Sequence, residues 1–159
     1  MMTLRDLVLD HLEHTFEKEA WQPSLAMAVE GLNARQAAWK PGPKRHSIWQ
    51  IVRHVIHWKQ AVLAALDGNP HDHEALDKSD WPEIADDDAA WQADVRALHA
   101  VSMKMKERVA AASDSDLARP VATYRGIADQ VMAIRLTRTA THDIYHAGQI
   151  RYLRALQGI

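Results

Sequence analysis

The sequence contains no cysteine. A disulfide scaffold, a thiolate zinc site and a cysteine nucleophile therefore cannot be built from this chain. Glycine and proline are scarce, six of each in 159 residues, too few for a protein made mainly of turns. Neither sign of charge prevails: the formal net charge is -2, so there is no basic footprint for nucleic acid or an anionic membrane surface. No stretch approaches the roughly 18 apolar residues of a membrane span. The amino-terminal MMTLRDLVLDHLEHTFEKEA carries charges throughout and lacks an apolar signal core or a small-residue cleavage site. The expectation is a cytoplasmic protein.

What is present has an ordinary globular balance, 47% hydrophobic and 25% charged, over a length that suits one domain spanning 1–159. One imbalance stands out: ten His and six Trp against a single Phe. Trp supplies broad flat surface and one N–H donor, useful in core corners and pocket walls alike.

Four long segments read as helix. The first runs from about Leu4 through Phe16, is interrupted near Pro23, and resumes through Leu25, Ala28, Val29 and Leu32 before Pro41-Gly42-Pro43 stops it. The second opens at Ser47, a good N-cap, and continues to Leu66, ahead of Asp67-Gly68-Asn69-Pro70. A polar loop is expected from His71 to Pro82. Asp86-Asp87-Asp88 then complements the positive end of a third helix through Trp91, Val95, Leu98, Ser102, Met105 and Val109. Ser113 to Asp116, Pro120 and Gly126 mark turns, and the fourth helix is expected from about Ile127 to Leu156. No β-alternating segment is evident. Four helices with short connections predict an all-α four-helix bundle.

The chemistry concentrates in Thr141-His142-Asp143-Ile144-Tyr145-His146-Ala147-Gly148-Gln149. Residues four apart on a helix project about 40° apart, so both imidazoles can share one ion. Their face continues into Ile127, Val131, Gln149, Leu153 and Leu156, which points them inward, where unsatisfied nitrogens are costly. His54 on the second helix shares a face with Gln50, Trp58, Ala61 and Ala65, uncharged and partly small. Three neutral imidazoles from two helices suit Zn²⁺, Ni²⁺ or Fe²⁺ and leave a coordination position open. The paired His also occurs by chance, and it lacks the adjacent Glu of a zinc-protease helix.

Ser47-Ile48-Trp49 through His54, His57-Trp58-Lys59, and Thr141-His142 through His146-Ala147-Gly148-Gln149-Ile150 resemble the signature segments of the DinB-like (DinB/YfiT-type) metalloenzyme superfamily. Trp21 to Leu25, Ala38-Trp39-Lys40-Pro41 and Trp81-Pro82 resemble stretches of one branch of it. The resemblance covers nearly the whole chain. It implies an up-down-down-up four-helix bundle of the DinB/YfiT type, often a homodimer, whose three metal-binding His map onto His54, His142 and His146. It also implies a divalent cofactor, Zn²⁺ or Ni²⁺ first and Fe²⁺ or Mn²⁺ as alternatives. Relatives include thiol S-transferases and thiol-dependent isomerases.

Other residues carry weaker expectations. His57 lies about 60° from His54 and is either a fourth ligand or a neighbour of the site. Trp58 walls the pocket or fills the core. Tyr145 and Gln149 are candidates to bond the free ring nitrogens. Arg135 and Arg138 would clamp an anionic thiol or carboxylate, or else pair with another helix. Arg135 and Tyr145 are the only candidate catalytic side chains. Asp143 is expected to cap or face solvent, His71-Asp72-His73-Glu74 to be a solvated loop, and Trp49, Trp81 and Trp91 to be exposed interface candidates. His11, His14, His46 and His99 have no evident partners. The function expected is that of a metal-dependent enzyme with thiol-dependent S-transferase or isomerase type chemistry on a small electrophilic substrate. The alternatives are a hydrolase, which would need a general base that is not evident, and a non-catalytic, metal-binding, dimerising protein.

Overall fold

Polar side chains set where most of the helices begin. The computed structural model describes residues 1–69, 72–85, 87–121 and 130–159. Within these, Thr3 caps α1 (Leu4–Phe16), Ser24 caps α2 (Leu25–Val29) and Asn33 caps α3 (Ala34–Ala38). Ser47 caps α4 (Ile48–Leu66), with Gln50 reaching back to the Ser47 backbone N–H. Asp72 caps α5 (His73–Ser79), Asp87 caps α6 (Asp88–Ala110) and Ser113 caps α7 (Asp114–Leu117). Each oxygen accepts from a backbone N–H that the first turn leaves without a helical partner.

The last helix, α8 (Met132–Gln157), starts differently. Its N-cap, Val131, offers no side-chain acceptor. Instead β2 (Gln130–Val131) pairs antiparallel with β1 (Pro120–Val121), and the Met132 N–H donates to the Arg119 carbonyl at 2.9 Å. The helix thus begins at Met132, later than the sequence suggests; Gly126 and Ile127 lie outside the described residues. A ladder of two residues is too short to show alternation, which is why no strand was expected. Likewise, α5 occupies part of the expected loop from His71 to Pro82; Pro70, His71 and Asp86 are outside the described residues.

The fold is mostly helical, as expected. The four long helices pack in a closed cycle, α1 against α6 and α8, and α4 against α6 and α8. Val8, Leu12 and Phe16 from α1, Val52 and Val55 from α4, Leu98 and Met105 from α6, and Leu136 and Ile150 from α8 are buried at the centre. Trp49 and Trp91 are also fully buried, contrary to the expectation of surface interface residues. Their rings meet edge to face at 5.5 Å. The indole N–H of Trp49 donates to Asp94 at 2.6 Å and that of Trp91 to the Leu32 carbonyl at 2.7 Å, which satisfies the one polar atom that would oppose burial. Among the described residues, no helix is long and apolar enough to cross a membrane.

Candidate metal centre

His54 projects from the middle of α4 toward the middle of α8, where His142 and His146 stand one turn apart. Their Nε2 atoms converge: His142 Nε2 lies 3.1 Å from that of His54 and 2.9 Å from that of His146. His54 and His146 are buried and His142 is half-buried. Nitrogens this close can all reach one ion lying about 2.0–2.1 Å from each. The three form a group that could hold a metal ion.

The outer nitrogens decide the protonation of the inner ones. His54 Nδ1 lies 2.5 Å from Asp80 Oδ1, and a carboxylate only accepts, so Nδ1 carries the hydrogen. His146 Nδ1 lies 2.7 Å from Gln149 Oε1, again an acceptor, so it too carries the hydrogen. Both Nε2 atoms therefore present bare lone pairs to His142. A neutral His142 can place at most one proton on its Nε2, which leaves at least one contact between facing lone pairs.

A second proton is no remedy. Burial, helped by the neighbouring imidazoles, pushes His54 down to about 3. His142 is pushed down to about 3 by burial first and then by His146, His54 and Lys59. Burial also lowers His146, against Gln149 and Asp80. Neutral imidazoles whose lone pairs face each other repel unless an electron-pair acceptor sits between them. The donor set fits a divalent cation on that ground. Ring nitrogens held by a carboxylate and an amide are the usual outer supports of such a site.

The loop after α5 delivers Asp80. Arg53 of α4 donates to the Glu83 carbonyl at 2.8 Å and Gln50 to that of Pro82 at 3.5 Å, strapping the loop across α4. This lays Trp81 flat on His54, ring centroids 4.2 Å apart and planes 12° apart, with His46 stacked on its other face at 3.6 Å. Asp80 Oδ1 also accepts from the Trp58 indole N–H at 2.8 Å. A cavity of ≈ 790 Å³ opens over all three histidines, and a separate one of ≈ 410 Å³ touches only His54 and His142 among them.

The sequence model of the DinB superfamily matches residues 18–150. The chain belongs to the DinB superfamily. A solved DinB-like protein from Bacillus cereus ATCC 10987 superposes with a TM-score of 0.65, at 16% identity, over 84% of this chain and 83% of that one. At that identity the likeness concerns the fold alone. A search of curated proteins gave no match.

In this member of the DinB superfamily several side chains depart from their expected places. Asp143 neither caps nor faces solvent: it is fully buried, and Lys59 donates to its Oδ2 at 2.6 Å and to Ser102 Oγ at 2.8 Å. Burial pushes the Asp143 carboxyl up to about 6, against the pull of Lys59, and burial lowers Lys59. His57 stands outside the cluster and bonds the Leu76 carbonyl at 3.1 Å. Arg135 and Arg138 line the smaller cavity, so neither reaches the large one. Tyr145 lines the large cavity and touches the His146 ring edge-on at 5.0 Å, while Gln149 alone of that pair bonds a ligand candidate.

His46, left without a partner in the sequence reading, stacks on Trp81 and lines the large cavity. His99 meets Phe16 edge-on at 5.2 Å and His14 bonds the Asp10 carbonyl. Asp80 was the functional residue missed. No spacing relates it to His54; the only local hint is Pro82, which holds the chain extended beyond it.

Proposed function

We propose that this chain is a metal-dependent enzyme in which His54, His142 and His146 hold a divalent cation, Zn²⁺ or Ni²⁺ first, and a small-molecule thiol is joined to a small electrophile or drives its isomerisation. The observation that carries this reading is the convergence of three neutral imidazole nitrogens beneath a cavity large enough for a small molecule. When bound, a divalent cation lowers the pKa of a thiol or water that reaches it and so supplies a nucleophile at neutral pH.

The chain's own part is to hold and to exclude. Asp80 and Gln149 keep both Nδ1 hydrogens in place, so His54 and His146 always present Nε2. Trp81 fixes the plane of the His54 ring. Tyr145, Leu153 and Leu156 wall the cavity with apolar surface that limits water. The chain has no cysteine, so the thiol would be a co-substrate. A hydrolase is less well supported: no carboxylate lines the large cavity among the described residues, and Asp80 is engaged by His54 and Trp58. A second reading, a metal-stabilised protein that acts by forming a homodimer, draws on the exposure of Tyr145, Tyr152 and Leu156 along α8.

The test is spectroscopic. Protein loaded with Co²⁺ or Ni²⁺ should develop a thiolate charge-transfer band when a low-molecular-weight thiol is added, and a thiol-plus-electrophile screen should then reveal turnover. If no thiol alters the spectrum and metal removal only lowers the melting temperature, the dimerising, non-catalytic reading replaces it.

A further inference from the structure

The cavity over the histidines has a one-signed wall. Among the described residues that line it, the only side chains of fixed charge are Lys44 and Arg45, and no carboxylate faces them. This is unexpected in a chain whose acidic residues outnumber its basic ones, 21 to 19. Lys44 and Arg45 lie just before the Ser47 cap of α4, are exposed, and form no ion pair with any described residue. Another part of the lining is apolar and aromatic: Tyr145, Tyr152 and Leu156 recur at seven and four residues along α8 and stay substantially exposed. Trp81, by contrast, has both faces covered by His46 and His54 and cannot stack on a ligand.

We propose that this cavity binds an anionic small molecule, its carboxylate or phosphate held by Lys44 and Arg45 and its carbon body laid against Tyr145, Tyr152 and Leu156. The proposal rests on the reading of the same cavity as a substrate site and adds the chemical class of what enters it. Two cations without an ion pair in the lining of a cavity attract oxyanions and gain charge-assisted hydrogen bonds when one arrives. The guanidinium of Arg45 can engage two oxygens at once, and the ammonium of Lys44 adds a point charge. A neutral molecule of the same shape gains only the apolar contact.

The experiment compares benzoate and phenyl phosphate with neutral benzamide, titrated by calorimetry into the protein as purified and after chelation. The anions should bind more tightly than benzamide, and high salt should weaken them selectively. The double variant Lys44→Gln/Arg45→Gln should lose about tenfold or more of the anion affinity, while its benzamide affinity and metal content stay unchanged. Both residues are exposed, and circular dichroism checks that the variant folds. If the charge preference survives chelation, the anion subsite stands whether or not the metal assignment does. If the double variant binds the anions as before while chelation abolishes binding, the anion sits on the cation; the subsite is then overturned and the metal reading is kept. Equal affinity for anions and benzamide overturns it as well.

Discussion

Lys59 of α4 and Asp143 of α8 form an ion pair sealed from water, with Nζ 2.6 Å from Oδ2 and side-chain exposures of 1% and 0%. The Lys59 ammonium also lies 4.8 Å from the centre of the Phe16 ring of α1, and Ser102 of α6 accepts its second bond. One cation thus touches all four long helices, and its charge reaches the His142 imidazole. The pair locks the register in which α4 presents His54 to α8.

Removing one partner leaves a buried charge with nothing to balance it. Lys59→Ala should therefore lower the unfolding free energy by about 3–5 kcal/mol, read by denaturant titration. A Lys59→Met/Asp143→Leu pair should recover most of that loss, because no charge then remains buried. A single variant with wild-type stability would show that water reaches the pair.

Asp80 bonds His54 and also acts on His146 through its charge, so it would influence a bound metal from behind the ligand rings. Asp80→Asn keeps the shape but removes the charge that orients Nδ1–H, so divalent metal affinity should drop about 10–100-fold with little change in helicity. Competition with a chromophoric chelator measures it. Unaltered affinity would mean that Asp80 does no more than anchor its loop.

His142 shares its Nε2 with both other rings. His142→Ala should reduce metal content to background by elemental analysis, and the wild-type protein should melt at lower temperature once chelated, since a ligand bound only by the native state stabilises it. Stoichiometric metal in the variant would refute the ligand assignment.

Acid should weaken the charge contacts around the end of α1. Hydrogen bonding from Lys18, with Lys106 adding its charge, holds the Glu13 carboxyl below its ordinary 4.5. Its folded-state pKa is depressed, so its contribution is complete above 4.5 and is lost as the pH falls below that value. Glu13 is partly exposed, so the amount is modest, about 0.2–1 kcal/mol. Glu13→Gln should flatten the acid limb of the stability curve, followed by thermal melts of chelated protein; an unchanged limb would remove Glu13 from the account.

The long helices and the paired histidines were legible in the sequence because both are local, whereas the short α5 and α7 were not. A cap is a Ser, Thr, Asn or Asp beside the turn it serves, and His142 and His146 are neighbours by helical period alone. His54 could be matched to them because its face is uncharged. Asp143 lies off the histidine face yet is buried, because α8 packs against α1, α2 and α4 together and more than one of its faces is covered. Trp49 and Trp91 were misplaced because a tryptophan suits core and surface equally until the acceptor for its N–H is known.

The chain by itself determined a mostly helical protein without disulfides, and three imidazoles on two helices able to meet. Only the tertiary structure decided which acceptors hold the ring nitrogens, that Trp81 lies on His54, and that Lys44 and Arg45 face the cavity while Arg135 and Arg138 do not. Helical spacing specifies direction about one axis. Distances between axes are set by how side chains interdigitate across the core, and by a loop crossing whose position leaves no periodic trace.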